Sequence, residues 1–150
     1  MIKIATLEDL PGLLKVLKNF FDASPFDSLT EFDYAIAAET AKKIIEGPKE
    51  SGVILLYLKE NTVKGVIAGL CHQMFFSRDR VATELCWWVD EDARSKESLD
   101  LIEAYEFWAE KVGCTITTMA NLTGETGERL DKYYKRRGYT PLETAYGKKV

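Results

Sequence analysis

Residues 53–89 constrain the fold most, because three strand-forming runs follow one another with only turns between them. Val53-Ile-Leu-Leu-Tyr-Leu58 is apolar throughout and reads as a strand buried on both faces. Lys59-Glu-Asn-Thr62 turns the chain, and Val63 to Phe76 returns as a long strand, which predicts an antiparallel hairpin. Ala82 to Val89 is a further strand. A chain with this block at its centre must build a mostly antiparallel sheet and cover it on both sides.

The remaining segments supply the cover. Ile2 to Ala5 reads as a short strand. Thr6-Leu-Glu-Asp9 offers helix-capping oxygens, and Leu10, Leu13, Leu14, Leu17, Phe20 and Phe21 follow at helical spacing. Asp22 to Leu29 reads as a loop. Thr30-Glu-Phe-Asp33 repeats the capping pattern before a second helix that carries Ile36, Ala37, Ala41, Ile44 and Ile45 and stops at Gly47-Pro48. A third helix is expected from about Ser98 to Val112, a strand from Thr115 to Ala120, a loop over 121–127 and a short helix from Glu128 to Arg137 closed by Gly138. Tyr139 to Lys148 is expected to add one or two last strands. The order β-α-α-β-β-β-α-β-α-β defines a mixed α/β domain, a mostly antiparallel sheet flanked by helices. One parallel pair is expected where the crossover spans residues 82–120.

With no repeat and no linker-like stretch, the 150 residues read as a single domain, 1–150. The net charge of −4 disfavours nucleic acid as a partner and suits a cationic one. No apolar run is long enough to span a bilayer, and the first nine residues lack the basic-then-apolar pattern of a secretory signal. Three widely spaced cysteines, Cys71, Cys86 and Cys114, with one histidine give no metal-ligand pattern, so no metal site is expected. They read as buried reduced thiols, and the protein as cytoplasmic.

Three local motifs carry a resemblance to a known family. Glu60-Asn-Thr-Val-Lys-Gly-Val-Ile-Ala-Gly69 is similar to a turn followed by V-x-G and a second glycine. Glu84-Leu-Cys-Trp-Trp-Val89-Asp-Glu-Asp-Ala-Arg94 is similar to a fourth strand, an acidic turn and a loop-opening arginine. Asn121 followed by Tyr134-Lys-Arg-Arg-Gly138-Tyr139 is similar to an N…Y-x-x-x-G-F ending. In this order they resemble the GNAT family of N-acetyltransferases over essentially the whole chain, in the manner of its short, phage-type members. One departure is plain. The family's Q/R-x-x-G-x-G/A loop reads Arg94-Ser-Lys-Glu-Ser-Leu99 here, with no glycine to let backbone N–H groups close on a pyrophosphate.

The resemblance implies an acetyl-CoA-dependent N-acetyltransferase, with acetyl-CoA as co-substrate and direct attack of an amine, from a small molecule or a protein lysine or N-terminus, in a ternary complex. A lysine-like amine is protonated at neutral pH, and freeing its lone pair costs about 4.6 kcal/mol, so a base is required. Glu84 is the first candidate, and strand alternation places it on one face with Cys86 and Trp88. His72 is the reserve. Tyr134 matches the group that attends the departing thiolate. A phenol is a weaker acid than a thiol, so a hydrogen bond to the thiolate is the sounder picture than full transfer. Trp88, Val89 and Asn121 are implied along the pantetheine arm. Arg94, Ser95, Lys96 and Ser98 are implied at the phosphates, where Glu97 adds an unfavourable charge. Lys132, Lys135, Arg136 and Arg137 read either as a screen for those phosphates or as a solvated helix face. Asp22, Asp27, Glu31, Asp33 and Glu39 beside Phe20, Phe21 and Phe26 read either as a wall for a cationic acceptor or as a solvated acidic loop. A homodimer is a further expectation. The competing readings are a non-catalytic protein of the same fold that binds or inhibits another protein, and an unrelated structural α/β domain.

Overall fold

The computed structural model describes residues 1–123 and 127–150. Five strands form one sheet in the order β1-β2-β3-β4-β5: β1 (Ile2–Ile4), β2 (Gly52–Lys59), β3 (Thr62–Gln73), β4 (Arg80–Val89) and β5 (Ile116–Thr118). The first four are antiparallel neighbours, while β5 runs parallel to β4, as the crossover requires. Helices α1 (Leu10–Ala23) and α2 (Tyr34–Glu46) cover one face, and α3 (Asp100–Lys111) covers the other. Helix α4 (Gly127–Arg136) follows β5.

Each face has its own core. Leu13 and Val16 of α1 pack with Leu56, Val66, Ala68 and Cys86, whereas Leu101 and Tyr105 of α3 pack with Leu55, Tyr57, Ile67 and Val89. Adjacent residues Leu55 and Leu56 serve opposite cores, which is why the β2 run is apolar without alternation. Asp9 Oδ2 accepts from the N–H and hydroxyl of Thr6 ahead of α1. Ahead of α2 the cap is Asp33, whose carboxylate accepts from the Ile36 N–H at 3.0 Å, so the helix opens at Tyr34 rather than at Thr30. The third helix is preceded by a 3-10 turn at Glu97–Leu99 and begins at Asp100. Gly138, at φ +92°, closes α4 as expected, with the Tyr139 N–H reaching back to the Tyr134 carbonyl.

Three expectations need correction. The last strands over 139–148 do not form: Pro141 has no N–H for a ladder, and β5 offers a partner only three residues long. The long third strand ends at Gln73, leaving Phe75 and Phe76 almost fully exposed in the β3–β4 turn. The three cysteines are not all free, because Cys71 and Cys114 are joined as a disulfide and only Cys86 is a buried thiol. That removes one of the grounds for expecting a reducing compartment. Residues 124–126 of the expected 121–127 loop lie outside the described residues.

The β2–β3 turn gives a test of the local chemistry. Glu60 (φ 51°) and Asn61 (φ 61°) both hold left-handed backbone between the paired Lys59 and Thr62. Glutamate is poorly suited to that region. Replacing Glu60-Asn61 with Asn-Gly is expected to stabilise the protein by about 1 kcal/mol, read as a higher midpoint in thermal or urea unfolding.

Candidate active site

The site lies where β4 and β5 part. They pair through Val81–Ile116, Ala82–Thr117 and Thr83–Thr118; β4 then continues to Val89 without β5. Beyond the ladder the Ala120 peptide needs other partners for its N–H and C=O. Glu84 supplies one, its Oε2 accepting from the Ala120 N–H at 2.8 Å. Tyr134 of α4 supplies the other, its hydroxyl donating to the Ala120 carbonyl at 2.9 Å. The two candidate catalytic side chains are thus brought together on one backbone unit.

The face occupied by Glu84 differs from simple alternation. Gly69 of β3 pairs with Glu84 and Ala68 with Cys86, so Leu85 is an extra residue, a β-bulge. Cys86 and Trp88 therefore face α1, while Glu84 faces α3 and α4. The expectation that these three share a face is overturned by that single inserted residue.

Burial raises the Glu84 carboxyl to about 7, against the opposing effect of the Ala120 hydrogen bond. Burial also lifts the Tyr134 phenol well above its ordinary value, and the Glu84 charge adds to that effect. Tyr134 is therefore a neutral O–H donor at any working pH. Tyr139, raised by burial to about 12, shares a hydrogen bond with Thr117 Oγ1 and donates to Glu106. Arg137 also binds Glu106, which fastens α4 to α3.

The residues expected along the coenzyme fall into two groups. At the end of β4, Arg94 Nε donates to the Val89 carbonyl at 3.0 Å, and its guanidinium lies 5.0 Å from the Trp88 ring centre. Trp88 Nε1 and Asn19 Nδ2 both donate to Asp90 Oδ1, tying this knot to α1. In the glycine-less loop, the Ser95 N–H donates to Ser98 Oγ and the Ser98 N–H to Ser95 Oγ. The Ser98 hydroxyl hydrogen is spent on the Ser95 carbonyl, so it is not the phosphate donor expected of it. Among the described residues, the N–H groups of Lys96 and Glu97 have no bonded acceptor. Asn121 stands beyond β5, but its amide donates to the Gly127 carbonyl.

Other candidates separate. Both His72 nitrogens are engaged, by Thr83 Oγ1 and the Gln73 carbonyl, and His72 lies on the face opposite Glu84. Lys135 pairs with Asp131 and Arg137 with Glu106, so that, among the described residues, Lys132 and Arg136 are the cations of that exposed cluster without an ion pair. On the acceptor side, residues 27–35 form an open depression of about 830 Å³ whose lining includes Asp27, Glu31, Phe32, Asp33, Tyr34 and Lys149. Asp22 pairs with Lys18, Glu39 with Lys43, and Asp33 caps α2, while Asp27 and Glu31 form no ion pair among the described residues. Phe20 packs edge-on to Trp88 and Phe21 against Phe32, but Phe26 is exposed. Among the described residues no group of acids, histidine and cysteines is placed to hold a metal ion. Among the described residues no helix is long and apolar enough to cross a membrane.

No protein-family model and no curated protein matches this chain. Solved structures do match. A GNAT family acetyltransferase from Staphylococcus aureus superposes with a TM-score of 0.70 at 16% identity, over all of this chain and 98% of that one. An aminoglycoside 6′-N-acetyltransferase from Acinetobacter haemolyticus gives 0.73 at 16%, over 100% and 99%. A ribosomal-protein-alanine N-acetyltransferase from Brucella melitensis gives 0.72 at 14%, again over 100% and 99%. The fold is that of the GNAT acetyltransferases.

The raised carboxyl has a consequence for stability. The folded value lies above the ordinary one near 4.5, so folding favours protonated Glu84, and that stabilisation is lost as pH rises towards and through about 7. Glu84→Gln keeps an acceptor for the Ala120 N–H and removes the charge. Its stability is expected to match wild type near pH 4 and to exceed it increasingly up to pH 8, by at most roughly 3 kcal/mol, read as a higher melting temperature.

Proposed function

We propose that this protein is an acetyl-CoA-dependent N-acetyltransferase whose acceptor is a cationic aliphatic amine. The observation that carries the reading is the grip of Glu84 and Tyr134 on the Ala120 peptide where β4 and β5 part. A carboxyl near 7 is matched to accepting a proton at neutral pH, which an ordinary surface glutamate is not. The cationic amine first gives one proton to Glu84, directly or through water; its nitrogen then bonds to the acetyl carbon, the carbon–sulfur bond breaks, and the second proton lost by the nitrogen ends on the departing thiolate. Tyr134 releases the Ala120 carbonyl, or shares its hydrogen, to stabilise the thiolate.

The unpaired edge of β4 from Glu84 to Val89 gives the pantetheine arm a strand to lie along. Arg94 and Lys96, with the Lys96 and Glu97 N–H groups ahead of α3, supply positive charge and donors for phosphate. The acceptor enters past Asp27 and Glu31, which attract a cation in a salt-dependent way.

Calorimetry with acetyl-CoA is expected to show saturable binding that weakens in an Arg94→Ala, Lys96→Ala double variant. Absence of both heat and a melting shift at millimolar coenzyme would favour a binding protein of this fold instead. With spermidine and lysine as acceptors and thiol release as the readout, kcat is expected to rise with pH through about 7. Tyr134→Phe is expected to lower kcat about 10²-fold with little change in acetyl-CoA affinity. Unchanged turnover would reduce Tyr134 to the packing residue that holds α4.

A further inference from the structure

Two buried side-chain donors have no acceptor among the described residues: the Tyr105 hydroxyl and Trp87 Nε1. Orphan donors of this kind are rare in folded proteins and mark ordered water or a ligand. Tyr105 is 0% exposed, in the middle of α3. Its ring lies against Gly69, where a Cβ would fall 2.4 Å from Cε2 and 3.2 Å from Cζ, the carbon that bears the hydroxyl. Gly69 is the cross-strand partner of Glu84. The missing side chain therefore opens a notch in the sheet opposite Glu84, and the Tyr105 ring fills it. Glu84 uses Oε2 for the Ala120 N–H, and its Oε1 has no bonded partner among the described residues. An unclaimed donor and an unclaimed acceptor thus border the same notch.

We infer that Tyr105 is a positioning residue for Glu84: its hydroxyl donates to one bridging water, and that water donates to Glu84 Oε1 beyond the edge of the ring that covers Gly69. Electrostatics agree, since after burial the Glu84 charge is the next cause that raises the Tyr105 phenol. The bridge favours the carboxylate over the acid and so opposes part of what burial does to Glu84. It also fixes the side chain with both oxygens claimed from outside the strand. The purpose of such a bridge rests on Glu84 being the working base; the contact itself does not.

The other groups around Glu84 are accounted for. Helix α3 presents Glu106 as well, turned to Arg137 and Tyr139, and α4 presents Tyr133 and Tyr134. On β4, Cys86 faces the opposite core, its thiol pushed by burial to about 12. On β3, His72 also lies on the opposite face, bonded to Thr83.

The test is the titration of Glu84 followed by NMR of carboxyl-labelled glutamate, its signal assigned by its loss in Glu84→Gln. Tyr105→Phe keeps the ring in the notch and removes only the hydroxyl. The Glu84 midpoint is expected to rise by about one pH unit. In the enzyme assay the acid limb of the rate profile should move with it, with kcat lowered severalfold at pH 7, recovered at pH 9, and KM for acetyl-CoA unchanged. A shifted midpoint in a chain that shows no acetyl transfer supports the bridge and removes the reading of Glu84 as base. An unshifted midpoint overturns the inference whatever the activity, and Tyr105 is then a packing residue.

Discussion

Ala120, through its own N–H and C=O, is the residue on which the site depends. In a continued parallel ladder its N–H and C=O would bond to β4, and the sheet would close there. Because β5 ends at Thr118, those two groups must be satisfied by side chains or water. Glu84 from the sheet and Tyr134 from α4 do so, one for each group. One backbone unit thereby fixes the carboxylate, docks the last helix and keeps the gap between the strands open. Arg137 and Tyr139, both on Glu106, hold α4 against α3 so that Tyr134 stays in reach.

The chemistry of the gap follows from what surrounds it. Tyr105, Tyr133, Tyr134 and Tyr139, with Trp87, line the Glu84 side of the sheet with aromatic rings and bring no fixed positive charge to Glu84. A carboxyl so placed is lifted towards neutrality, and the phenols are lifted further from ionisation. The result is one group that exchanges a proton near pH 7 among several that only donate hydrogen bonds. An aliphatic wall would give the same desolvation but no donors, and an arginine would hold the carboxylate ionised and weaken it as a base.

The sheet and its helical cover were legible because each rests on a periodic signal. Leu55 and Leu56 serve two cores, so the apolar β2 run needed no alternation, and the spacing of Leu13 and Val16 marked the buried stripe of α1. Glu84 and Tyr134 were legible by resemblance. What the periodicity misses is any insertion that breaks it. Leu85 is such an insertion, and it separates Glu84 from Cys86 and Trp88 although all three stand at even positions. Tyr105 reads as one more core residue at helical spacing; only its place against Gly69, opposite Glu84, distinguishes it. The Cys71–Cys114 pairing spans 43 residues and depends on the crossover bringing the end of α3 beside β3, which no local pattern encodes.

The loop ahead of α3 shows how a helix N-terminus can be rebuilt without glycine. In a glycine loop the first N–H groups stay open to an anion at the cost of backbone freedom. Here Ser95 and Ser98 cap each other, which withdraws two of the loop's N–H donors. Lys96 and Glu97 keep theirs, and the Lys96 and Arg94 side chains add charge that a glycine pair does not have. The exchange trades directional backbone bonds for long-range attraction. A phosphate held this way is bound with a steeper dependence on salt than one cradled by four N–H groups, because exposed cations are screened and buried amides are not. Glu97 would oppose any anion there by its charge while offering it an N–H, which limits how far that trade can go.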